Sequence, residues 1–210
     1  MPSQRFPGSQ ETIDVLDWLT GSQPRMESEA RSRRRVGRPQ MRFLPAHTAN
    51  YTNASRTAHD IDAIVIHTVE GTASGAITWF QNPTAKVSAH YVVSKTGEIT
   101  QMVEIADVAF TQTYYNQRAI GIECEGRASD PSNWTEGMMR SLIQLTAWLC
   151  QAYGIPAEHP TGQATANTRQ GRFDEPGLVG HSQLQPWNKS DPGPSFPWAR
   201  FVRDVNALLG

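Results

Sequence analysis

The sequence predicts an α/β protein in which helices flank a layered β-sheet. Residues 63–66 form a continuous apolar run rich in β-branched side chains, which is typical of a strand buried on both faces. Residues 138–149 carry an apolar stripe with helical spacing, which predicts a long amphipathic helix. Strand and helix patterns are mixed along the chain, and this mixture favours an α/β sheet.

The elements of the first half are short. Residues 74–80 predict a helix that ends at Asn82-Pro83. Residues 88–94 and 98–103 alternate in a strand pattern on either side of a Lys-Thr-Gly turn, which predicts a hairpin. Residues 118–125 predict another strand, whose period of two divides its side chains between two faces.

The second half begins with the long helix, which Thr135 can cap and which Gly154 ends. Residues 157–177 are polar and predict a loop. Residues 178–180 predict a short strand that ends at His181, and the last helix is expected to start at Pro197, a residue suited to the first helical position.

Composition excludes several classes of protein. Nineteen Lys and Arg against twenty Asp and Glu give a net charge of −1, which disfavours a DNA-binding protein. No apolar run is long enough to span a membrane. Two cysteines do not make a disulfide framework. Residues 1–40 are polar and arginine-rich, with a possible short helix around residues 13–19 and a linker after it, so we place a folded domain at residues 41–210.

Three polar residues lie at or beyond the ends of apolar segments, where the sites of α/β sheets gather: His67, His181 and Asp191. Two imidazoles and a carboxylate are a ligand set for a hydrolytic zinc ion. A single histidine at a strand end is more often a packed or surface residue, so this pattern alone leaves both interpretations open.

Two further features accompany this set. Glu123 and Glu125 share one face of the strand at 118–125, and either is a candidate general base; the pattern does not separate them. Lys189 lies two residues before Asp191 in a proline-stiffened loop, where it is either a solvated lysine or a group that stabilises an oxyanion.

Five motifs occur in order along the chain: IHT at 66–68, VSAHY at 87–91, IGIECEG at 120–126, GH at 180–181 and KSDPGP at 189–194. Together they resemble the type-2 N-acetylmuramoyl-L-alanine amidases, relatives of the peptidoglycan recognition proteins. The resemblance covers about residues 43–208. The animal recognition proteins carry cysteine at the position of Asp191. With an aspartate there, the chain resembles the bacterial and phage branch of the family.

The resemblance implies a mixed central sheet flanked by helices, with one zinc ion per chain held by His67, His181 and Asp191. It implies that Glu123 is the acid/base and that Lys189 lies beside the metal. Many relatives carry Trp-His where this chain has Phe110-Thr111, which alters the groove wall; Thr111 and Asn116 are the implied substrate-binding residues.

The implied activity is hydrolysis of the amide between N-acetylmuramic acid and L-alanine of the stem peptide. The expected partners are peptidoglycan and muropeptides, without nucleic acid or membrane insertion, and the chain is expected to be a monomer. The amino terminus shows no signal peptide, which fits a phage endolysin that passes from the host cytoplasm to the wall, a cytoplasmic recycling amidase or a module of a larger protein. A non-catalytic peptidoglycan-binding module is the alternative; such relatives usually lose a metal ligand.

Overall fold

Eight short strands form two sheets within residues 35–210, the part of the chain that the computed structural model describes. In chain order they are β1 (Arg42–Phe43), β2 (Tyr51–Thr52), β3 (Ala63–Thr68), β4 (Tyr91–Val93), β5 (Ile99–Gln101), β6 (Val108–Ala109), β7 (Ala119–Cys124) and β8 (Gly177–Gly180). The larger sheet has the order β1-β5-β4-β7-β3-β8, and β2 pairs with β6 in the smaller one.

The larger sheet is mixed, as predicted. β3 lies between β7 and β8 and is parallel to both, and β4 is parallel to β7 on its other side. β4 and β5 form the predicted antiparallel hairpin, and β1 is added to β5 in parallel. Every residue of β3 is buried, which agrees with its continuous apolar run.

Within the described part of the chain, four α-helices accompany the strands: α1 (Ala73–Phe80), α2 (Glu136–Tyr153), α3 (His181–Leu184) and α4 (Trp198–Leu209). The helix α2 begins where the sequence predicts, because the Thr135 side chain accepts a hydrogen bond from the backbone N–H of Met138. It ends at Gly154, whose φ of 70° is the left-handed conformation that favours glycine at this position.

The helices cover the two faces of the sheet. The apolar stripe of α2, with Leu142 at its centre, packs with Phe201 and Val205 of α4 against one face. On the other face, α1 buries Ile77 and Phe80 against Val92 of β4. The predicted helical stripe of α4 is correct for its buried residues, although its last member, Leu208, is 39% exposed. These layers confirm the predicted fold class.

Some elements differ in length from the prediction. β3 continues through His67 and Thr68 because it pairs with β7 as far as Cys124, so His67 lies within the strand rather than after it. The hairpin strands are shorter than predicted, since the N–H groups of Ser88 and His90 bond to the carbonyls of Phe110 and Gly121 outside the strand ladder.

The beginning of the described chain is in contact with the folded body. The backbone N–H of Val36 donates to Oε1 of Gln151 on α2, and the Arg38 guanidinium lies over the Trp148 ring at 5.3 Å from its centroid. The predicted helix around residues 13–19 and most of the predicted linker lie outside the described residues. The domain boundary at residue 41 therefore stays a prediction. Within residues 35–210, no helix is both long and apolar enough to cross a membrane.

Candidate metal centre and active site

The parallel pairing of β3 with β8 brings two distant histidines together. Ile66 of β3 is in register with Gly180 of β8, so the next residues, His67 and His181, lie side by side at the same end of the sheet. The loop after α3 then returns to this point, where the Ser182 backbone N–H donates to the Asp191 carbonyl at 2.8 Å. Asp191, ten residues after His181, is thereby held beside both imidazoles.

Three ligand atoms form a nearly equilateral triangle. The Nδ1 atoms of His67 and His181 are 3.0 Å apart, and Oδ2 of Asp191 lies 3.0 Å from the first and 3.1 Å from the second. All three residues are buried. Tetrahedral zinc with bonds of about 2.0–2.2 Å requires donor atoms roughly 3.3–3.6 Å apart, so the triangle needs only a small expansion to fit this ion.

Two glutamines fix the orientation of the imidazoles, and neither was predicted from the sequence. The Nε2 atom of His67 lies 3.3 Å from Oε1 of Gln112, and Nε2 of His181 lies 2.8 Å from Oε1 of Gln185. Because an amide oxygen only accepts, each Nε2 carries the proton and each Nδ1 presents a lone pair to the triangle. Gln185 follows His181 by four residues, a spacing that gives a usable signal; Gln112 is in a loop and gives none.

The ionisation of these groups favours a cation between them. Burial lowers the pKa of the His67 imidazole, and the neighbouring His181 acts in the same direction, so His67 is a neutral ligand at pH 7. Burial opposes the charge on Asp191, but its close contacts with the two imidazole rings outweigh it and hold the pKa of this carboxyl group below its ordinary value. Two lone pairs and a carboxylate that meet at 3 Å suit a divalent cation.

Glu123 lies next to this triangle because β7 pairs with β3 in a register that sets it opposite His67. Its Oε2 atom is buried and has no hydrogen-bond partner among residues 35–210. Burial raises the pKa of the carboxyl group to about 8; the charge of Asp191 acts in the same direction, and the ammonium group of Lys189 opposes it. A basic, unpartnered carboxylate beside a candidate metal centre is suited to proton transfer.

Glu125 has a different environment from Glu123, although the sequence pattern assigned them to one face. β7 ends at Cys124, and the Glu125 carboxylate instead accepts the Lys95 backbone N–H at 2.8 Å in the turn of the β4–β5 hairpin. Glu123 lines the cavity of about 190 Å³ around the ligand triangle, together with the exposed Lys189.

The two predicted substrate-binding residues are placed differently. Thr111 lines the same cavity, and its hydroxyl donates to the Ser88 carbonyl at 2.8 Å. Asn116 stands behind the loop: its Oδ1 accepts from the backbone N–H of Thr111 and of Gln112, at 3.2 and 2.7 Å. Asn116 therefore shapes the cavity wall through the loop that carries Thr111 and Gln112.

Glu70 also lines the cavity and was not singled out from the sequence. Its φ of 54° is a conformation that a residue with a side chain rarely adopts. Its Oε1 accepts from the Thr68 hydroxyl at 2.7 Å and from the Ala128 N–H at 2.8 Å, which keeps the carboxylate at the cavity. A positive φ outside glycine has no sequence signature.

Larger grooves occur elsewhere on the molecule. One of about 550 Å³ runs along the sheet edge beside Arg42 and Ile99. Within residues 35–210, however, the only cluster of three His, Cys, Asp or Glu side chains able to hold a metal is the triangle of His67, His181 and Asp191. The metal-binding side chains therefore place the candidate site in the smaller cavity of about 190 Å³ around this triangle.

Comparison with known proteins agrees with this geometry. A family model described as N-acetylmuramoyl-L-alanine amidase matches residues 57–194. The chain is 37% identical over 164 residues to N-acetylmuramoyl-L-alanine amidase A of Achromobacter lyticus, which covers 77% of this chain and 91% of the relative. It is 31% identical over 149 residues to 1,6-anhydro-N-acetylmuramyl-L-alanine amidase AmpD of Citrobacter freundii, covering 67% and 68% of the two chains.

Solved structures of this kind share the fold. A selenomethionine derivative of AmpD has a TM-score of 0.60 at 23% identity and covers 84% of this chain and 98% of its own. The endolysin LysCS of Clostridium intestinale, an N-acetylmuramoyl-L-alanine amidase, has a TM-score of 0.59 at 19% identity and covers 81% and 98%. At these identities the likeness concerns the fold.

Proposed function

The chain belongs to the family of N-acetylmuramoyl-L-alanine amidases, and we propose that it uses one zinc ion to cleave the amide between the lactyl group of N-acetylmuramic acid and L-alanine of the stem peptide. The observation that carries the proposal is the triangle of His67, His181 and Asp191 beside Glu123, whose Oε2 atom is buried. Family membership supports the bond that is cleaved, and the triangle supports the metal.

The three ligands are suited to zinc. Mg²⁺ and Ca²⁺ prefer oxygen ligands, whereas two imidazole nitrogens with one carboxylate are a common hydrolytic zinc set. Zinc held by three protein ligands retains one open position, and it would activate a water molecule and polarise the scissile carbonyl. Gln112 and Gln185 orient the two imidazoles so that their Nδ1 atoms would hold the ion.

Glu123 acts as the general base and then as the general acid. Its carboxylate takes a proton from the attacking water, and its raised pKa lets it hold that proton while the amide bond breaks. The protonated carboxyl group then delivers the proton to the departing amine of L-alanine. Burial without a competing hydrogen bond at Oε2 leaves this atom available for both transfers.

Lys189 stabilises the negative charge that develops on the carbonyl oxygen. It lines the cavity with Glu123 and the ligands, and its exposed side chain is free to adjust to a substrate. Thr111, which also lines the cavity, contacts the substrate, and Asn116 contributes by holding the Thr111 loop in place.

The substrate is peptidoglycan or its muropeptides, on which the chain acts as a monomer without nucleic acid and without insertion into a membrane. We assign it to wall degradation, as a bacteriolytic endolysin or a bacterial wall amidase, since similarity to amidase A extends over most of both chains. It would reach the wall from the host cytoplasm as an endolysin, or as part of a larger secreted protein. Similarity to AmpD supports a second role, in recycling anhydro-muropeptides.

Mass spectrometry of digested cell walls tests the proposal. The zinc-loaded full chain is incubated with purified sacculi and, separately, with soluble anhydro-muropeptides. We expect stem peptides with a free L-alanine amino terminus and glycan strands of unchanged length. Asp191→Ala is the inactive control. Cleavage within the glycan or inside the stem would contradict the proposed bond, and a strong preference for the anhydro substrate would favour the recycling role.

A further inference from the structure

The metal cavity opens into a longer groove. Thr68, Glu70, Glu123 and Lys189 line both this cavity and a second one of about 360 Å³, which runs between the segment after β3 and the helix α1. The second cavity shares Trp79 with a third, of about 400 Å³, on the outer side of α1. The three cavities therefore adjoin one another from the ligand triangle to the outer side of α1, and together they are called the groove.

Trp79 is the large apolar side chain of the outer part of this groove, and it is 50% exposed. The helix α1 buries a different stripe, made of Ala73, Ile77 and Phe80, so Trp79 is not required to fill the core beneath the helix. Gly75 lies one turn before it, and both line the second and third cavities.

Charge divides the groove into two parts. The inner part, around the ligand triangle, holds the ionisable Glu70, Glu123 and Lys189. The outer part is lined only by neutral residues, and its polar members are hydroxyl and amide side chains. These lining residues are Thr72, Ser74, Gly75, Thr78, Trp79 and Asn82.

A pyranose ring matches the outer part, because it combines an apolar face of C–H groups with neutral hydroxyl and acetamido groups. An indole offers a flat apolar surface for such a face, and hydroxyl and amide side chains suit its polar rim. The stem peptide, which carries carboxylates and amines, matches the charged inner part instead. We propose that Trp79 and the neutral residues around it bind the sugar next to the muramic acid whose amide is cleaved.

This inference rests on the proposed function, since the sugar and the cleaved amide belong to one substrate. It predicts that the chain distinguishes a disaccharide-linked stem from a monosaccharide-linked stem. The test compares N-acetylmuramoyl-peptide with N-acetylglucosaminyl-N-acetylmuramoyl-peptide carrying an identical stem. For the unaltered full chain, kcat/KM should be about tenfold higher for the disaccharide, mainly through a lower KM.

Trp79→Ala should remove this preference and leave kcat/KM for the monosaccharide substrate within about twofold. Trp79→Phe retains an aromatic surface and should keep part of the preference. Phe43→Ala is the matched control, because Phe43 is 49% exposed on β1 at the edge of the sheet; this variant should keep the full preference. A preference that survives in Trp79→Ala, or a loss that affects both substrates equally, would overturn the assignment.

Two further measurements separate this site from the amidase activity. The indole N–H signal that is missing from the NMR spectrum of Trp79→Phe identifies Trp79. Titration of the unaltered chain with an N-acetylglucosamine oligomer should shift this signal. If the unaltered chain binds the oligomer there but cleaves neither substrate, the proposed function fails and the sugar site stands. If the effect of Trp79→Ala follows the length of the stem peptide rather than the number of sugars, the outer groove binds peptide and the sugar assignment is wrong.

Discussion

The two faces of the central sheet are built from the same strands, and both bury apolar side chains, but the candidate site lies on one of them. Ile64 and Ile66 of β3 and Ile120 of β7 pack against the helices α2 and α4. The alternate residues of the same strands point to the other face, where His67 and Glu123 end the run opposite one another. Because side chains alternate along a strand, a single six-residue segment supplies both a hydrophobic core and a metal ligand.

The two faces contribute differently to the stability of the fold and to the chemistry of the candidate site. The face against α2 and α4 buries large apolar side chains, which the hydrophobic effect stabilises. The other face carries the ligand triangle and, beside it, Oε2 of Glu123 and Nε2 of Gln112, two buried atoms without a hydrogen-bond partner within residues 35–210. Such groups cost free energy of folding unless a metal ion or a substrate interacts with them.

The largest effect is expected from the metal ligands. His67→Ala, His181→Ala and Asp191→Ala should each reduce the rate by about a thousandfold or more, because each removes one of the ligands on which metal-assisted hydrolysis depends. Zinc content, measured by atomic spectroscopy after dialysis, should fall in all three. Leu208→Ala on the partly exposed end of α4 is the control and should keep both zinc and activity. Wild-type zinc content in all three ligand variants would show that the triangle is not the metal site.

Glu123 and Glu125, which are two residues apart, give the sharpest test of the general base. Glu123→Gln should lower kcat/KM by about a hundredfold or more, because it removes the base but keeps the size of the side chain. Glu125→Gln should stay within a few-fold, since that carboxylate is engaged with the hairpin turn. The measurement is kcat/KM on a defined muropeptide, with zinc content determined in parallel. An active Glu123→Gln together with an inactive Glu125→Gln would reverse the assignment.

The sequence predicted much of this arrangement, and the strand pattern explains why. The apolar run at 63–66 and the alternation at 118–125 located β3 and β7, and the ordered motifs brought His67, His181 and Asp191 into one candidate site. Gln112 and Glu70 were not predicted because their placement depends on loop conformation, including a positive φ at Glu70. The separation of Glu123 from Glu125 depends on where β7 ends, which alternation alone does not specify.

The glutamines behind the ligands should have an intermediate effect. Gln185→Ala removes the acceptor for Nε2 of His181, and we expect zinc affinity to fall about 10- to 100-fold, as for other residues that orient a metal ligand. Competition with a chelator of known affinity measures this change. Gln185→Glu provides the contrast, because a carboxylate at the same position still accepts the hydrogen bond and should retain most of the affinity. Equal losses in both variants would mean that Gln185 does not act through this bond.

The opposite face should respond in stability and not in rate. Leu142 is fully buried in α2, so Leu142→Ala should lower the free energy of unfolding by roughly 2–5 kcal/mol. The rate per folded, zinc-loaded molecule should remain unchanged. Urea denaturation and active-site titration measure the two quantities separately, and the exposed Leu208→Ala should change neither by much. A fall in rate per folded molecule would show that the two faces are coupled.

The last expected effect concerns the stability cost of Glu123 itself. Burial raises its pKa to about 8 in the folded chain, whereas an unfolded glutamate titrates near 4.3. Between these values the unfolded state loses the proton first, so in the zinc-free protein this group lowers the stability progressively from about pH 4.3 to pH 8. The neutral side chain of Glu123→Gln does not titrate, so this variant lacks the pH-dependent loss of stability. Its melting temperature should therefore match that of the unaltered zinc-free chain near pH 4.5 and exceed it increasingly towards pH 8, by an amount equivalent to at most a few kcal/mol.

Thermal unfolding of both zinc-free chains across this range measures the difference, with Glu125→Gln as the control for loss of a carboxylate. A difference that does not change with pH would mean that the Glu123 carboxylate is already compensated in the folded chain, and the contrast between the two faces would then rest on the ligand triangle alone.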